Sequence, residues 1–292
     1  MARACAVLPV LLKAMRPRQW VKQVFVIAPL VFAKGLGDPA MVLRSIGAFA
    51  AFSAAASAIY LLNDLSDVEA DRLHPKKRHR PIASGALSLG AAKTACATLA
   101  LLALAGGALL GPSVAACLAA YLALNVAYTL RLKHVPYLDV LSIALGFELR
   151  VLTGAFAIGV APSNYLLVVT LLVSGFLGFG KRMHEIALGT SSRVVLEAYD
   201  QRTLSVLLHL FALATTFTYV VYTLDPHTRA TFGTEYLPVT IVFVEFGILR
   251  FLGFVQNPEE AESPTDHMLR DVFFLGNGVL WLVACVTVIY LT

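Results

Sequence analysis

The sequence predicts an all-α integral membrane protein, folded as a bundle of nine transmembrane helices with a cytoplasmic N-terminus. Hydrophobic residues make up 58% of its 292 residues and charged residues only 14%, and the mean hydropathy is +0.76. Soluble domains are much less apolar than this. Apolar segments also recur at about 20 residues, the length that a helix needs to cross the bilayer core. We therefore expect one transmembrane domain over residues 1–292, with residues 1–19 as a cytoplasmic or interfacial N-terminal segment.

Nine segments have this character. They lie near residues 20–36, 41–63, 92–110, 113–130, 137–158, 163–181, 204–224, 236–255 and 272–291. The first is the weakest, because it is short and contains Pro29. Turn-forming residues join the third segment to the fourth at Gly111 and Pro112, and the fifth to the sixth across residues 159–162.

The distribution of Lys and Arg orients these helices, because basic residues concentrate in cytoplasmic loops. With the N-terminus inside, the cytoplasmic segments contain most of the basic residues, namely Arg16, Arg18, Lys22, the run at 72–80, Arg131, Lys133, Lys181, Arg182, Arg193 and Arg202. The opposite loops contain Lys34 and Arg229, with Arg44 near a helix end. The acidic loop at 256–271 is an exception, but acidic residues have little effect on topology. A site that faces the cytoplasm can therefore draw on most of the polar clusters.

Charge is dense only in residues 63–85, where the acids come first. Asp64, Asp67 and Asp71 stand at positions i, i+3 and i+7, which is one face of a helix, and Asn63 is one turn from Asp67 and two from Asp71. Carboxylates so close together repel one another, and a divalent cation compensates them. Because hard oxygen ligands suit Mg²⁺, we predict a Mg²⁺ site formed by these four residues.

Five basic residues follow the acids: Arg72, Lys76, Lys77, Arg78 and Arg80. Pro75 and Pro81 interrupt them and are expected to end the helix and open a loop. The acidic residues can bind a metal ion, and the basic residues beside them can bind phosphate oxygens. Together they indicate a diphosphate site. The alternative is that these charges form a solvated cytoplasmic loop.

Polar residues at two other segment ends are further candidates. Lys22, in RPRQWVKQ, either belongs to an aromatic and basic membrane anchor or contacts a phosphate. Tyr128, Arg131 and Lys133 lie where the fourth segment ends. The two bases there either fix the topology or bind substrate.

Two clusters lie in or beside predicted membrane spans, where ionisable residues are costly. Glu148 and Arg150 fall within the fifth segment and form either a structural ion pair or part of a sugar or phosphate site. Lys181, Arg182 and Glu185 lie at the end of the sixth segment. The i, i+4 spacing of Lys181 and Glu185 allows a helical salt bridge, but two bases beside an acid also suit an anionic substrate.

Several functions are not indicated by the sequence. The four cysteines show no metal-binding spacing, so neither a zinc site nor a disulfide framework is expected. His74 and His79 have no second ligand at metal spacing and are interpreted as polar loop residues. Hydrolase, metalloprotease and nucleotide-binding signatures are missing. The bases lie beside apolar segments, so nucleic acid is not expected as a partner.

The pattern N-D-x-x-D-x-x-x-D followed by HPKKRHRPIASG resembles the UbiA superfamily of intramembrane prenyltransferases, which are nine-helix bundles with Mg²⁺-diphosphate sites on the cytoplasmic side. A more specific resemblance is to its polyprenyl-phosphate phosphoribosyltransferase branch, through RPRQWVKQ, YTLRLKH, the LDV…LR segment, GKRxxE, RVVLEAY and SPTDHMLRD. These segments span nearly the whole chain. Ordinary UbiA members have a second Asp-rich motif, commonly D-x-x-x-D, where this chain has Lys181 to Glu185.

The resemblance implies Mg²⁺-dependent transfer of 5-phosphoribose from phosphoribosyl diphosphate to a polyprenyl phosphate such as decaprenyl phosphate, with release of diphosphate. It also implies a bacterial plasma (inner) membrane and the pathway that supplies the arabinose donor of cell walls. The candidate catalytic residues are then Asp64, Asp67, Asp71 and Lys181. The candidate substrate-binding residues are Lys22, Asn63, Lys77, Arg78, Arg80, Tyr128, Arg131, Lys133, Glu148, Arg150, Arg182 and Glu185. Of these, Glu148, Arg150 and Glu185 are expected to position ribose hydroxyls.

Two other functions are compatible with parts of the sequence. Transfer of a prenyl group from a prenyl diphosphate to an aromatic or lipid acceptor would use the same acidic cluster. A transporter would use Glu148 and Arg150 to line an ion path, but the charges gather on one face and the two halves show no matching repeat. The resemblance makes membrane lipid and a second copy of the chain the expected partners, with a trimer as the expected oligomer.

Overall fold

The structure, a computed structural model, describes residues 2–189, 194–256 and 263–291. Arg193 and residues 257–262 of the acidic loop lie outside these ranges. Within them the chain forms α-helices and short 3₁₀ helices and no β-strand. The α-helices are α1 (Ala2–Met15), α2 (Val24–Phe32), α3 (Pro39–Ser66), α4 (Val68–Leu73), α5 (Leu89–Leu110), α6 (Pro112–Leu130), α7 (Leu138–Ala157), α8 (Asn164–Leu188), α9 (Gln201–Leu224), α10 (Pro226–Phe232), α11 (Ile241–Gln256), α12 (Pro264–Met268) and α13 (Val272–Leu291).

Eight helices in the described ranges are long and apolar enough to cross a membrane. They are α3, α5, α6, α7, α8, α9, the stretch Leu237–Gln256 that contains α11, and α13. These eight correspond to the second through ninth predicted segments. The protein is therefore an all-α, multi-pass membrane protein, as its composition indicates.

The first predicted segment, residues 20–36, does not form one long helix. It is divided among a 3₁₀ helix (Pro17–Gln23), α2 and a second 3₁₀ helix (Gly35–Gly37). The nine residues of α2 extend about 14 Å, roughly half of the hydrocarbon core. Arg16 and Lys34, which flank this region, both have left-handed backbone angles with φ of 55°. The prediction of nine membrane-spanning helices is therefore not confirmed, and the cytoplasmic position of the N-terminus stays a prediction.

The chain divides into two compact units. The first contains residues 1–130 and 149–162, and the second contains residues 131–148 and 163–292. The first part of α7 belongs to the second unit and its last part to the first. Each unit has its own buried core, and the single domain expected from the sequence stays a prediction.

Small residues let α3 pack closely in the first unit. Ala51, Ala55 and Ala56 are buried in its core, and α5 and α6 pack against the same helix. Phe52 is fully buried and lies against Tyr121 of α6, with 4.5 Å between the ring centroids. In a membrane the lipid is as apolar as the helices, so the hydrophobic effect does not drive the helices together. Small side chains let the helices approach closely and associate through van der Waals contacts. The C-terminal end of α3 is thereby fixed, and it carries the first acids of residues 63–85.

The backbone of the acidic part of residues 63–85 stays helical from the end of α3 into α4. The amide of Asp67 donates to the carbonyl of Asn63 at 3.0 Å, and the amide of Asp71 donates to the carbonyl of Asp67 at 2.8 Å. These bonds continue the i to i−4 pattern into α4. That helix ends at Leu73, two residues before Pro75, so the predicted helix end is confirmed.

The basic part of residues 63–85 folds back onto the first unit. After a 3₁₀ helix at Lys77–His79, the amide of Leu87 donates to the carbonyl of Pro81 at 2.8 Å. Ile82 and Leu87 are buried with Leu61 of α3 and Ala14 of α1. Apolar anchors therefore hold both sides of the charged residues. The interpretation as a freely solvated loop does not fit this packing.

The second unit is built around α8, α9 and α11. Phe179, Leu204 and Phe251 are buried together in its core, and aromatic edges stack between Phe176 and Phe251 with centroids 5.0 Å apart. Tyr199 is a member of the same core although it lies between helices. This packing holds the end of α8 that carries Lys181, Arg182 and Glu185.

The contact between α2 and α7 generates a stability prediction. A Cβ atom at Gly154 would lie 1.9 Å from the carbonyl oxygen of Val26, whereas a Cβ at Gly253 in α11 would meet nothing within 4 Å. Because the obstructing atom is backbone, we expect Gly154→Ala to lower the free energy of unfolding by about 3 kcal/mol. Thermal unfolding of the detergent-purified variant measures this, and Gly253→Ala is the matched control. Equal midpoints for the two variants would contradict the packing described.

Candidate functional site

Two arginines pair with the buried carboxylates of Asp64 and Asp71 in the first unit. Oδ1 of Asp64 accepts hydrogen bonds from Nη2 of Arg16 at 2.5 Å and from Nη1 of Arg80 at 3.2 Å. The same Nη1 of Arg80 donates to Oδ2 of Asp71 at 2.6 Å. Both aspartates are 2% exposed, while the arginine side chains are about one-third exposed. The structure therefore brings together Asp64, Asp71 and Arg80, three residues predicted from the sequence.

Arg16 is a member of this cluster that the sequence reasoning counted among the cytoplasmic basic residues but did not select as a site residue. Its left-handed backbone lies between α1 and the 3₁₀ helix Pro17–Gln23. Nε1 of Trp20 donates to Oγ of Ser57 at 3.1 Å and so fastens this turn to α3. The basic character of RPRQWVKQ was the available signal, but the pairing partner of Arg16 lies 48 residues away.

The donor atoms of this cluster fit a hard divalent cation. Oδ2 of Asp64 is buried without a hydrogen-bond partner. Asp71 is near Asp64, because Nη1 of Arg80 donates to both carboxylates. Asp67 is half-buried at the junction of α3 and α4, and Oδ1 of Asn63 accepts a hydrogen bond from the hydroxyl of Thr129. No group of three His, Cys, Asp or Glu within the described ranges is arranged to hold a metal ion. One or two carboxylates completed by substrate phosphates is the usual arrangement for Mg²⁺.

Other predicted residues of the first unit lie on neighbouring elements. Lys22 is half-buried in the 3₁₀ helix Pro17–Gln23, and Tyr128 is half-buried in the last turn of α6. Lys77 is half-buried, while Arg78 is exposed and its Nε contacts Nε2 of His79 at 3.4 Å. Neither Lys77 nor Arg78 takes part in the carboxylate pairs found in the described residues.

Arg150 occupies the core of the first unit. Its Nε donates to Oε1 of Gln23 at 2.8 Å and its Nη2 to the hydroxyl of Tyr121 at 3.3 Å. The guanidinium also lies 4.9 Å from the ring centroid of Phe52, a cation–π distance. These contacts join α3, α6, α7 and the 3₁₀ helix that carries Lys22. The proposed contact of Arg150 with ribose stays a prediction.

A second charged cluster lies wholly in the second unit and includes two residues that the sequence reasoning did not select. Oδ2 of Asp139 accepts from Nε of Arg182 at 2.7 Å, and its Oδ1 accepts from the hydroxyl of Tyr199 at 2.5 Å. Nη1 of Arg182 donates to Oε2 of Glu185 at 2.5 Å. Asp139 and Arg182 are buried, at 0% and 2% exposure. Arg182, predicted to bind substrate, is thus engaged in the protein interior.

Tyr199 is held as a neutral hydrogen-bond donor in this cluster. Burial raises the pKa of its phenol above the usual value, and the hydrogen bond to Asp139 raises that pKa further. The sequence contained signals for both missed residues, because Asp139 opens the LDV segment and Tyr199 closes RVVLEAY. Neither motif shows that the two side chains meet across 60 positions.

The remaining candidates of the second unit lie near this cluster in the chain. Lys181 is half-buried on α8, next to Arg182. Arg131 is exposed and Lys133 is half-buried in the 3₁₀ helix Leu132–His134. Glu148 is half-buried in α7, and its Oε1 has no hydrogen-bond partner in the described structure.

Comparisons with known proteins place this arrangement in a family. The UbiA prenyltransferase family matches residues 24–261. The decaprenyl-phosphate phosphoribosyltransferase of Corynebacterium glutamicum is 34% identical over 291 residues, which cover 96% of this chain and 87% of that protein. The protein of the same name from Mycobacterium tuberculosis is 35% identical over 280 residues, which cover 92% of this chain and 91% of that protein.

A solved structure shows the same fold. A UbiA homolog from Archaeoglobus fulgidus bound to GPP and Mg²⁺ matches with a TM-score of 0.74, covering 96% of this chain and 99% of that chain. The sequence identity is only 16%, so this likeness concerns the fold alone.

The arginine bridge generates a stability prediction. Arg80→Ala removes the charge that compensates buried Asp71, and we expect a loss of about 3 kcal/mol in the free energy of unfolding. Arg72→Ala is the matched control, because Arg72 pairs at 2.9 Å with a Glu69 side chain that is 80% exposed, and such surface pairs contribute less than about 1 kcal/mol. Thermal unfolding in detergent and metal-free buffer compares the two. A larger loss for Arg72→Ala would contradict the compensating role of Arg80.

Proposed function

The chain belongs to the UbiA prenyltransferase family, and from this premise we propose that it is a polyprenyl-phosphate phosphoribosyltransferase. It transfers 5-phosphoribose from phosphoribosyl diphosphate to a polyprenyl phosphate such as decaprenyl phosphate. The observation that carries this proposal is the identity over nearly the full chain with relatives named for that reaction. The pairing of Asp64, Arg80 and Asp71 supports it, because it combines metal-type ligands with a phosphate-binding cation in one place.

The reaction needs little acid–base chemistry from the protein. A phosphate oxygen of the acceptor attacks the anomeric carbon of the ribose, and the bond from that carbon to the diphosphate oxygen breaks. The diphosphate leaves with the electron pair. The acceptor phosphate is already ionised near neutral pH, so the protein need not remove a proton. Its tasks are to orient the two substrates and to stabilise the leaving group.

The first unit contains the groups that suit the leaving diphosphate. Asp64 and Asp71, with Asn63 and Asp67 beside them, would hold Mg²⁺, which neutralises the charge that develops on the leaving group. The guanidinium of Arg80 already lies at both carboxylates and is one-third exposed, so it can also donate to a phosphate oxygen. Arg16 supplies a second such group.

The second unit contains bases in place of a second acidic motif. Lys133 and Lys181 are half-buried, and ammonium groups suit phosphate oxygens. We assign Lys181 to catalysis and Lys133 to substrate binding, together with Arg131. Lys22 and Tyr128 of the first unit are further candidates for phosphate contacts. Arg182 and Glu185 act mainly within the protein, because they pair with each other and with Asp139.

The cellular setting follows from the same reasoning. The bacterial relatives favour a bacterial plasma (inner) membrane, and the basic loops favour a cytoplasmic position for the polar loops. The family match covers parts of both units, which supports one UbiA-type transmembrane domain over residues 1–292. Membrane lipid surrounds it, the apolar tail of the acceptor lies in lipid, and a homotrimer is the expected assembly. The product would supply the arabinose donor of cell-wall synthesis.

Prenyl transfer from a prenyl diphosphate is the second candidate function. It is favoured by the match to the UbiA prenyltransferase family. Against it stands the GKRxxE sequence, where ordinary UbiA members have further aspartates. Because both donors are diphosphates, the Asp64 cluster alone does not separate the two reactions.

A direct assay separates the two functions. Purified protein with Mg²⁺ should form phosphoribosylated lipid from phosphoribosyl diphosphate and decaprenyl phosphate, and should leave geranyl diphosphate with a quinone precursor unchanged. Mass spectrometry of the extracted lipids measures both products. Turnover of only the prenyl diphosphate pair would overturn the phosphoribosyltransferase proposal.

The acidic residues have distinct expected effects on this activity. We expect Asp67→Asn and Asp71→Asn each to lower Mg²⁺-dependent turnover by at least about 100-fold, because each removes a charged oxygen ligand. Glu69→Gln, in α4 with a side chain that is 80% exposed, should retain activity and serves as the matched control. Turnover is measured across a Mg²⁺ titration on protein that elutes as a single species. Near-normal activity of both Asp variants would show that the metal assignment is wrong.

A further inference from the structure

We propose that Tyr199 is a positioning residue that holds residues 131–137, here called the basic strap, in the conformation that presents Lys133 to a phosphate. This rests on the proposed function, because a phosphate-bearing donor is the ligand. The strap connects α6 to α7 and contains Arg131 and Lys133. Tyr199 comes from the RVVLEAY segment, to which the proposed reaction gives no role.

The strap ends in an unfavourable backbone conformation that Tyr199 stabilises. Tyr137 has a φ of 66°, in the left-handed region that side-chain-bearing residues rarely adopt. The amide of Tyr137 donates to the hydroxyl of Tyr199 at 2.8 Å, and the two rings meet edge to face with centroids 4.9 Å apart. A residue held in such a conformation requires surrounding contacts that fix it. Tyr199 provides two of them.

The hydroxyl of Tyr199 is itself fixed by the buried cluster. It donates to Oδ1 of Asp139, while the other oxygen of Asp139 accepts from Arg182 of α8. The hydroxyl therefore uses its single proton on the carboxylate and its lone pair on the strap amide. Phenylalanine at position 199 can keep the ring contact but loses both hydrogen bonds.

The fixed end of the strap determines where Lys133 lies. Backbone hydrogen bonds from His134 to Arg131 and from Val135 to Leu132 form the 3₁₀ turn, and the amide of Asp139 donates to the carbonyl of Val135 at 3.2 Å. The turn Leu132–His134 also packs against the 3₁₀ helix Val194–Ala198, directly before Tyr199. The backbone at Lys133 is thus held by hydrogen bonds within the strap and by packing against Val194–Ala198 of the RVVLEAY segment.

This arrangement affects ligand binding more than folding. Arg131 is exposed and Lys133 only half-buried, so their side chains add little to the core. A strap that samples other backbone conformations presents its cations to a phosphate only part of the time. The apparent affinity for the ligand then falls by the fraction of time that the strap is misplaced. The donor should be affected, because its 5-phosphate is on a different ribose carbon from the diphosphate that we assign to the Asp64 cluster and needs a cation of its own.

The test is Tyr199→Phe in the full-length protein in detergent. We expect KM for phosphoribosyl diphosphate to rise about five-fold to ten-fold, the effect of the one hydrogen bond that the strap itself loses, with KM for decaprenyl phosphate unchanged. The matched control is Tyr165→Phe, on the same α8 as Arg182 but about 25 Å away along the helix, which should leave both KM values unchanged. An unchanged donor KM in Tyr199→Phe would overturn the proposal.

A double-mutant cycle separates positioning from general destabilisation. In a Lys133→Ala background, Tyr199→Phe should raise the donor KM by less than two-fold, since the group that it positions is gone. A full five-fold rise in that background would overturn the role assigned to Tyr199. Should Tyr199→Phe fail to fold, Tyr137→Val disfavours the left-handed backbone at position 137, because β-branched residues rarely adopt a positive φ, and it leaves the bonds among Tyr199, Asp139 and Arg182 in place. It should then raise the donor KM, and an unchanged value would equally contradict the proposal.

A binding measurement keeps this inference distinct from the proposed reaction. Isothermal titration of the wild-type protein and Tyr199→Phe with ribose 5-phosphate reports binding of the 5-phosphate without turnover, and it leaves out the diphosphate that we assign to the Asp64 cluster. Wild-type protein that forms no phosphoribosylated lipid would refute the proposed function alone. A ribose 5-phosphate Kd that is weaker in Tyr199→Phe still supports the strap, and an identical Kd refutes it.

Discussion

The structure depends on the neutralisation of buried carboxylates by arginine inside an apolar helical protein. Desolvation of a carboxylate costs several kcal/mol, and a paired arginine offsets that cost only when the geometry is good. Asp64 and Asp71 share Arg80 in the first unit, and Asp139 holds Arg182 in the second. The Asp139–Arg182 pair joins segments 43 positions apart in the sequence, and the Arg16–Asp64 pair joins segments 48 positions apart. The charged pairs therefore hold chain segments together, and they also supply the polar groups of the candidate site.

The two units use this interaction for different purposes. In the first, Arg80 is one-third exposed and Asp64 retains one oxygen without a hydrogen-bond partner, which suits the proposed exchange of internal pairs for a metal ion and phosphates. In the second, Asp139 and Arg182 are fully buried and serve as a rigid support. Both arrangements are consistent with a transferase that binds a diphosphate through cations and needs no general base.

Much of the fold could be read from the sequence because membrane spans are determined by local composition. Eight predicted segments match eight apolar helices, and the ends of α4 and α5 coincide with Pro75 and with Gly111 and Pro112. The first predicted segment is not one long helix, so it is not confirmed as a membrane span, for a reason that hydropathy does not contain. The 3₁₀ helix Pro17–Gln23 precedes α2, and the left-handed Lys34 with the 3₁₀ helix Gly35–Gly37 follows it, so α2 has only nine residues.

The sequence by itself determined the membrane class, the helical architecture and the family, together with the candidate acids and bases, because hydropathy, residue type and spacing are local properties. Only the tertiary structure decided which charges meet. It joined Arg16 to Asp64 across 48 positions and Tyr199 to Asp139 across 60. It also placed Arg182 in the interior, where the sequence had suggested substrate contact. The physical reason is that ion pairing and burial depend on how distant segments pack, which no local pattern specifies.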